Sequence, residues 1–181
     1  EEALSRVKTW TSLPIRVVAD GAFNNESLIT PLAELKFPLI SRLRSDASLR
    51  WDPPKRRGKK RGRRPKYGAW LPALGRLARS SRGWQTIQVH IYGKDVTVKV
   101  KTFDAWWPKA GVKLRVVIVR DPDFKRKPCI LSSTDLTTIP KDIIETFALR
   151  WSIETYQAHC IHKRERLKLS GQRADNLSAG A

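Results

Sequence analysis

The stretch Ile15-Arg-Val-Val-Ala19, followed by Asp20-Gly21, decides the fold class of this chain. Its β-branched residues predict a short buried strand, which Asp20-Gly21 ends. Residues 24–26 (Asn-Asn-Glu) suit a turn and a helix cap, so a short helix is expected around Glu26–Leu35. A second strand is expected at Phe37–Leu43. This succession of strand, turn, helix and strand predicts an α/β protein.

Asp20 is a candidate functional residue because of its place in that unit. In α/β proteins, the groups that bind ligands lie beyond the carboxyl ends of the strands. The alternative is that Asp20 is an ordinary turn residue, because Asp-Gly is a common turn dipeptide. The residues alone leave both interpretations open.

A second informative stretch is Phe147–Tyr156, with the sequence FALRWSIETY. No Gly or Pro occurs between Lys141 and Ser170, and the apolar spacing predicts a helix. Phe147, Arg150 and Glu154 are three and four residues apart, so they fall on one stripe of that helix. An ordinary ion pair between Arg150 and Glu154 on a solvated face is the alternative.

The middle of the chain predicts a β-hairpin. Residues 84–92 and 95–103 alternate apolar and polar side chains, and Gly93-Lys94 joins the two runs. Lys99 and Lys101 fall on the polar face, where solvation is expected. DNA contact by that face is the alternative.

Further elements are expected on both sides of the hairpin. A short helix is expected within Tyr67–Arg82, and strands are expected at Lys113–Val119 and Cys129–Ser133. The sequence at residues 104–110, which contains Trp106-Trp107-Pro108, favours a turn with aromatic packing.

The charge of the chain indicates a polyanionic partner. Lys and Arg number 36 against 17 acidic residues, which gives a formal net charge of +19. Nucleic acid is the usual partner of such a protein. Ribosomal, chromatin and anionic-membrane partners remain open on charge alone. No apolar run approaches the ~20 residues of a membrane span.

Residues 52–66, DPPKRRGKKRGRRPK, contain nine Lys or Arg among fifteen residues. Such a segment has too few apolar side chains to form a core, so an extended loop is expected. Phosphate binding with release of counterions is the favoured role, and a solvated loop that binds nothing is the alternative. The candidate DNA-binding residues of this basic loop are Lys55, Arg56, Arg57, Lys59, Lys60, Arg61, Arg63, Arg64 and Lys66.

Three motifs together resemble a known family. They are Val17–Asn25 (VVADGAFNN), the spacing Phe147-x2-Arg150-x3-Glu154, and Ile130–Thr138 (ILSSTDLTT) leading into the predicted helix. The combination resembles the DDE transposases of bacterial insertion sequences, in the branch with a Tyr-x2-Arg-x3-Glu-x6-Lys signature. The resemblance covers roughly residues 1–156.

The resemblance implies an α/β fold of the ribonuclease H-like type, present in part and with a β-rich insertion. Four segments follow from it. Residues 1–50 form the ribonuclease H-like part, and residues 51–128 form the basic loop and the insertion. Residues 129–163 form the closing strand and the helix with the catalytic Glu, and residues 164–181 form a divergent tail.

The resemblance also implies metal-assisted chemistry on DNA. Asp20 and Glu154 would be catalytic residues and ligands of Mg²⁺, because hard cations prefer carboxylate oxygens. Arg150 would hold a phosphate near the cut, and Trp151 would stack on a base. The implied partners are transposon-end and target DNA, with a homodimer on DNA left open. The implied location is the bacterial cytoplasm, at the nucleoid.

The sequence departs from the family pattern at several positions. The first catalytic Asp of the family would precede Glu1, Phe147 replaces the Tyr, and Ile161 replaces the Lys. After Tyr156 the resemblance stops, which suggests a frameshifted or degraded reading frame.

These departures lead to the expectation of an incomplete copy, with little or no strand cleavage by this chain alone. Two other functions stay open at this point. One is a basic DNA-binding protein without catalysis, and the other is a ribosomal or chromatin-type structural protein.

Overall fold

A computed structural model describes residues 14–55 and 62–150, together with Arg6. Within these ranges six strands form one sheet in the order β1-β2-β6-β5-β4-β3. The strands are β1 (Val17–Ala19), β2 (Leu39–Arg42), β3 (Gln85–Ile91), β4 (Lys94–Trp107), β5 (Val112–Arg120) and β6 (Cys129–Ser133). The predicted α/β class is confirmed, and β6 has the predicted limits.

The pairing of β1 with β2 is parallel, whereas every other neighbouring pair in this sheet is antiparallel. Helix α1 (Glu26–Glu34) makes the crossover between the two parallel strands. The side chain of Asn25 caps α1 by accepting a hydrogen bond from the Leu28 N–H at 3.0 Å. Pro31 lies in the second turn of α1 and leaves one helical hydrogen bond unmade.

One face of the sheet packs against a helix at residues 140–150, named α3 here. Ile40 of β2 and Val117 of β5 are fully buried there, and they join Ile143 and Phe147 of α3 in one hydrophobic cluster. Pro140 stands at the first helical position, where its missing N–H costs nothing. The predicted helix is therefore confirmed for its described part. Its expected continuation through Trp151 and Glu154 lies outside the described residues.

The opposite face packs against α2 (Leu74–Arg79), which confirms the helix expected within residues 67–82. Leu74 and Ala78 of α2 are fully buried against Val116 and Ile118 of β5. Burial of such aliphatic side chains stabilises the fold by about 1.5–3 kcal/mol for each large one. The sheet is thus covered on both faces.

The expectation that Lys99 and Lys101 face solvent is wrong. The Lys101 ammonium donates hydrogen bonds to the carbonyl oxygens of Leu77 and Ser80, at 2.9 and 2.7 Å. Desolvation lowers the pKa of Lys101 below its usual value. The Lys99 ammonium lies 4.6 Å from the centre of the Phe124 ring. Their face of the hairpin is occupied by the end of α2 and by Phe124 of the loop after β5, which the strand alternation alone does not reveal.

The turn expected at residues 104–110 is also wrong in its position. Trp106 and Trp107 belong to β4, where they pair with Lys113 and Val112 of β5. The turn follows at residues 108–111. The long β4 pairs with β3 along its first half and with β5 along its second, so this extension depends on a partner that is distant in the sequence.

The base of the basic loop is fixed to the sheet. The Asp52 carboxylate accepts hydrogen bonds from the indole N–H of Trp106 at 2.8 Å and from the Lys113 ammonium at 2.6 Å. The Lys113 contact is the main reason why the pKa of Asp52 is lowered. On the other side of the loop, the Gly68 N–H donates to the carbonyl oxygen of Trp51 at 2.9 Å. The loop therefore begins and ends at the edge where β5 starts.

No helix within residues 14–55 and 62–150 has the length and apolar character needed to cross a membrane.

Gly68 provides a test of this anchor. A Cβ atom at Gly68 would overlap the carbonyl oxygen of Asp52 and lie 2.9 Å from its carbonyl carbon. We expect Gly68→Ala to lower the free energy of unfolding by about 1–3 kcal/mol, because the neighbouring backbone must move. Urea denaturation followed by circular dichroism measures this decrease.

Gly75→Ala is the matched control. A Cβ at Gly75 meets Ser45 at an ordinary 3.6 Å, and the position lies within α2. This change should be neutral or should stabilise the protein by about 0.5–1 kcal/mol. Equal unfolding midpoints for Gly68→Ala and the wild type would contradict the close approach at the loop base.

Candidate functional site

Asp20 follows β1 directly, at the carboxyl ends of the two parallel strands. Its carboxylate accepts a hydrogen bond from the Gly21 N–H at 2.6 Å, and its backbone starts the short 3-10 helix Gly21–Phe23. Its side chain is partly exposed. The parallel pairing of Ala19 with Ser41 places Arg42, the last residue of β2, beside it at the same edge. A carboxylate and a guanidinium thus meet at the point where α/β sheets bind ligands.

Asn24 connects the two strand ends. Its side-chain amide donates a hydrogen bond to the carbonyl oxygen of Arg42 at 3.1 Å. Its buried side-chain oxygen has no hydrogen-bond partner among the described residues. The approach of the turn to β2 is close, because a Cβ at Gly21 would lie 3.3 Å from the same Arg42 carbonyl oxygen. Asn24 and Gly21 therefore hold the Asp20 turn against the end of β2.

Asp20 borders two clefts, of which the first is the α3-side cleft. It has a volume of about 490 Å³ and lies between the sheet edge, the tip of the β3–β4 hairpin and the last described turn of α3. The polar side chains that line it are Asp20, Arg42, Tyr92, Lys127, Cys129 and Arg150. Asp20 and Arg150, which are far apart in the sequence, therefore line one cleft.

The position of Arg150 depends on the packing of α3. Phe147 is nearly buried in the cluster beneath the helix, and the guanidinium of Arg150 lies 5.6 Å from the centre of its ring. Glu145, on the same helix, accepts a hydrogen bond from the His90 N–H of β3 at 2.6 Å. These contacts fix the orientation of α3 relative to the hairpin, and thereby bring Arg150 to the cleft.

Several predicted site residues lie outside the described residues. They are Glu154, Trp151, Arg56, Arg57, Lys59, Lys60 and Arg61. The predicted metal site depends on the distance between the carboxylates of Asp20 and Glu154, so it stays a prediction.

The described residues do not complete a divalent-cation site. Residues 14–55 and 62–150 contain no group of three His, Cys, Asp or Glu side chains arranged to hold a metal ion. Of the described side chains lining the α3-side cleft, Asp20 is the sole acid. A carboxylate is a suitable ligand for a hard cation, but one carboxylate among three cationic side chains does not fit such an ion by itself.

The described basic-loop residues Lys55, Arg63, Arg64 and Lys66 are exposed. They are not brought near Asp20, because the base of the loop lies at the opposite end of the sheet. Lys113, which holds the loop base, lies near the start of β5. Arg120, at the Asp20 edge, lies seven residues later, at the end of the same strand. At ~3.3 Å per residue this separates the two ends by about 23 Å. The base of the basic loop and the basic edge at Asp20 therefore lie far apart.

Apart from Arg150, the cations that line the clefts beside Asp20 were not predicted from the sequence. Arg42, Arg120, Arg126 and Lys127 come from the end of β2, the end of β5 and the loop after β5. One sequence signal for Arg42 was present, because it lies at the end of the second predicted strand, as Asp20 lies at the end of the first. No signal was present for the others, because the order β2-β6-β5 brings them to this edge. Burial also raises the pKa of the Cys129 thiol here, which keeps it protonated.

A known sequence family matches the first part of the chain. Residues 1–103 match the model of the family described as DDE superfamily endonuclease. The matched region includes Asp20 and Arg42. No curated protein matches this chain.

Asn24→Ala tests the connection between the strand ends. Removal of its hydrogen bond to Arg42 should lower the free energy of unfolding by about 0.5–1.5 kcal/mol. Hydrogen–deuterium exchange should increase in peptides that cover Asp20–Asn24 and the end of β2.

Asn25→Ala is the matched control, because it removes an N-cap of similar energy on the neighbouring residue. Its increased exchange should be confined to the first turn of α1, at Leu28 and Ile29. Asn24→Ala with unchanged exchange at the end of β2 would contradict the role of Asn24 described above.

Proposed function

The chain belongs to the DDE superfamily endonuclease family, and on that premise we propose that it is a transposase acting in the transposition of DNA. Members of this superfamily typically use divalent metal ions, and their substrate is DNA. The six-stranded mixed sheet is consistent with a ribonuclease H-like domain of that superfamily. The branch with the Tyr-Arg-Glu-Lys signature is our proposed placement within it.

The observation that supports this function best is the meeting of Asp20 and Arg150 at the α3-side cleft. Phosphodiester chemistry needs a carboxylate that can hold a cation and basic groups that can hold phosphate oxygens. The cleft has both, since Arg42 and Lys127 border it as well. An ordinary turn residue at position 20 would not require this arrangement.

Each predicted site residue has a role in the proposal. Asp20 and Glu154 are the catalytic carboxylates and the ligands of Mg²⁺. Arg150 holds a phosphate near the cut with its planar guanidinium. Trp151 stacks on a base, and the basic loop contacts phosphates of a more distant DNA segment. A metal ion held by these carboxylates would supply activation of the attacking oxygen and stabilisation of the leaving one.

The cellular setting is part of the proposal too. We place the protein in the bacterial cytoplasm, at the nucleoid, with the ends of an insertion sequence and a target DNA as partners. Two chains would assemble on the DNA. These points rest on the family resemblance and on the net charge of +19.

A basic DNA-binding protein without catalysis is the second candidate. The excess of cations over acids around Asp20 favours it, because those cations bind phosphate whether or not a metal is present. The family match weighs against the third candidate, a ribosomal or chromatin-type protein.

Metal binding at Asp20 separates the first two candidates. We expect the chain to bind Mn²⁺, used as a paramagnetic substitute for Mg²⁺, and Asp20→Asn to weaken this binding about tenfold or more, because it removes a hard-cation ligand. Electron paramagnetic resonance of free Mn²⁺, measured with and without a DNA duplex, gives the affinity. Glu154→Gln should weaken the binding to a similar extent.

Glu34→Gln is the control, since Glu34 is an exposed carboxylate of α1 that lines neither cleft beside Asp20. It should leave Mn²⁺ affinity unchanged. If Asp20→Asn also leaves it unchanged while DNA binding persists, the second candidate replaces the first.

A further inference from the structure

The second cleft beside Asp20, the α2-side cleft, lies between the sheet edge and α2 and has a volume of about 840 Å³. Two acids, Asp20 and Asp46, line it. Six cationic side chains also line it: Arg42, Arg44, Arg79, Arg120, Arg126 and Lys127. Such an excess of positive charge in one concave surface raises the local concentration of an anionic partner.

Two of the six cations are already engaged within the protein. Arg44 forms a two-pronged ion pair with Asp46, at 3.0 and 2.9 Å. Arg120 donates hydrogen bonds to the carbonyl oxygens of Ala78 and Phe124, at 3.2 and 3.1 Å. These two guanidinium groups therefore already have partners in the walls of the cleft.

The other four cations are available for a ligand. The side chains of Arg42, Arg79, Arg126 and Lys127 are exposed, and none has a hydrogen bond or ion pair with a described residue. Like charges brought together without counter-charges destabilise a fold. An anion with several charges would relieve this repulsion.

The loop that carries Arg126 and Lys127 is ordered by its own contacts. The Asp121 carboxylate accepts hydrogen bonds from the N–H groups of Lys125 at 2.9 Å and Arg126 at 3.0 Å. Desolvation opposes the charge on Asp121, but these N–H donors outweigh it and lower its pKa. Phe124 packs edge-on against Trp84, with ring centres 5.6 Å apart. The backbone that carries Arg126 and Lys127 is thus ordered before a ligand arrives, which reduces part of the entropic cost of binding.

We propose that the α2-side cleft holds the sugar–phosphate backbone of the DNA strand next to the phosphate at Asp20. This proposal rests on the proposed function, and it names the surface that guides the substrate strand. The two clefts share Asp20, Arg42, Lys127 and Pro128, so a strand lying in one continues past Asp20 into the other. The volume accommodates several nucleotide units, whereas a single phosphate would fill a small part of it.

The basic loop then contacts a different segment of the same DNA. Its base is about 23 Å from the Asp20 edge, which corresponds to roughly seven base pairs at 3.4 Å each. A short duplex occupies the α2-side cleft without reaching the loop base. A longer duplex reaches both regions, so the contribution of the loop depends on DNA length.

The experiment compares two triple variants that remove equal charge. Arg79→Gln, Arg126→Gln and Lys127→Gln form the cleft variant, and Lys55→Gln, Arg63→Gln and Arg64→Gln form the loop variant. Fluorescence anisotropy gives the affinity of each for a 6-bp hairpin duplex, which is shorter than the distance to the loop base, and for a 30-bp duplex, over a series of KCl concentrations.

The cleft variant should bind both duplexes about tenfold or more weakly. The salt slope, meaning the slope of the logarithm of the binding constant against the logarithm of the KCl concentration, should become shallower by roughly 0.9 for each phosphate that the protein no longer neutralises. The loop variant should weaken binding to the 30-bp duplex alone. The proposal is overturned if the cleft variant binds the 6-bp duplex like the wild type, or if the loop variant weakens that binding equally.

Two further measurements keep the outcomes distinct. If the triple change unfolds the chain, the single change Lys127→Gln, at an exposed loop position, takes its place. This single change should reduce the salt slope by roughly 0.9. Mn²⁺ affinity of the cleft variant should not fall, because the three changes remove positive charge near the proposed cation site. Failure of Mn²⁺ binding in the wild type would refute the proposed metal site, whereas failure of the length dependence would refute the strand path.

Discussion

The parallel pairing of β1 with β2 is the constraint on which the site depends. Its register joins Val17 to Leu39 and Ala19 to Ser41, so that the carboxyl ends of both strands reach the same edge. Asp20 and Arg42 then stand side by side. A shift of β2 by one residue would turn Arg42 to the opposite face and take Ile40 out of the cluster that it forms with α3. Hydrophobic burial of Ile40 therefore fixes the position of a functional cation.

The concentration of positive charge at this edge is unfavourable by itself, and the core compensates for it. The aliphatic residues of β2, β5 and β6 are buried on both faces, under α3 on one side and α2 on the other. Some cations also contribute to packing, since Arg120 and Lys101 bind carbonyl oxygens at the end of α2. The remaining cations are exposed around Asp20, where a polyanion would neutralise them. Some of the basic side chains thus contribute to packing, and others are exposed for binding an anion.

Local patterns predicted the individual elements well. The strand Cys129–Ser133 has its predicted limits, and α1 follows an Asn cap as expected, because each depends on the residues of that segment alone. The predictions that failed depended on pairing at a distance. Trp106 and Trp107 extend β4 because β5 provides a partner, and Lys101 is desolvated because α2 lies across it. The basic loop was recognised from composition, but the position of its base, at the end of the sheet away from Asp20, was not.

The sequence by itself determined the α/β class, the strand-end carboxylate at Asp20, the Arg150 stripe on a helix and the need for a polyanionic partner. These follow from periodicity, turn chemistry and net charge, which are local or additive quantities. Only the tertiary structure decided that Arg42, Arg126 and Lys127 surround Asp20. Electrostatic interaction depends on distance in space, and the strand order sets that distance. Side chains from β2 and from the loop before β6 become neighbours because β2 pairs with β6.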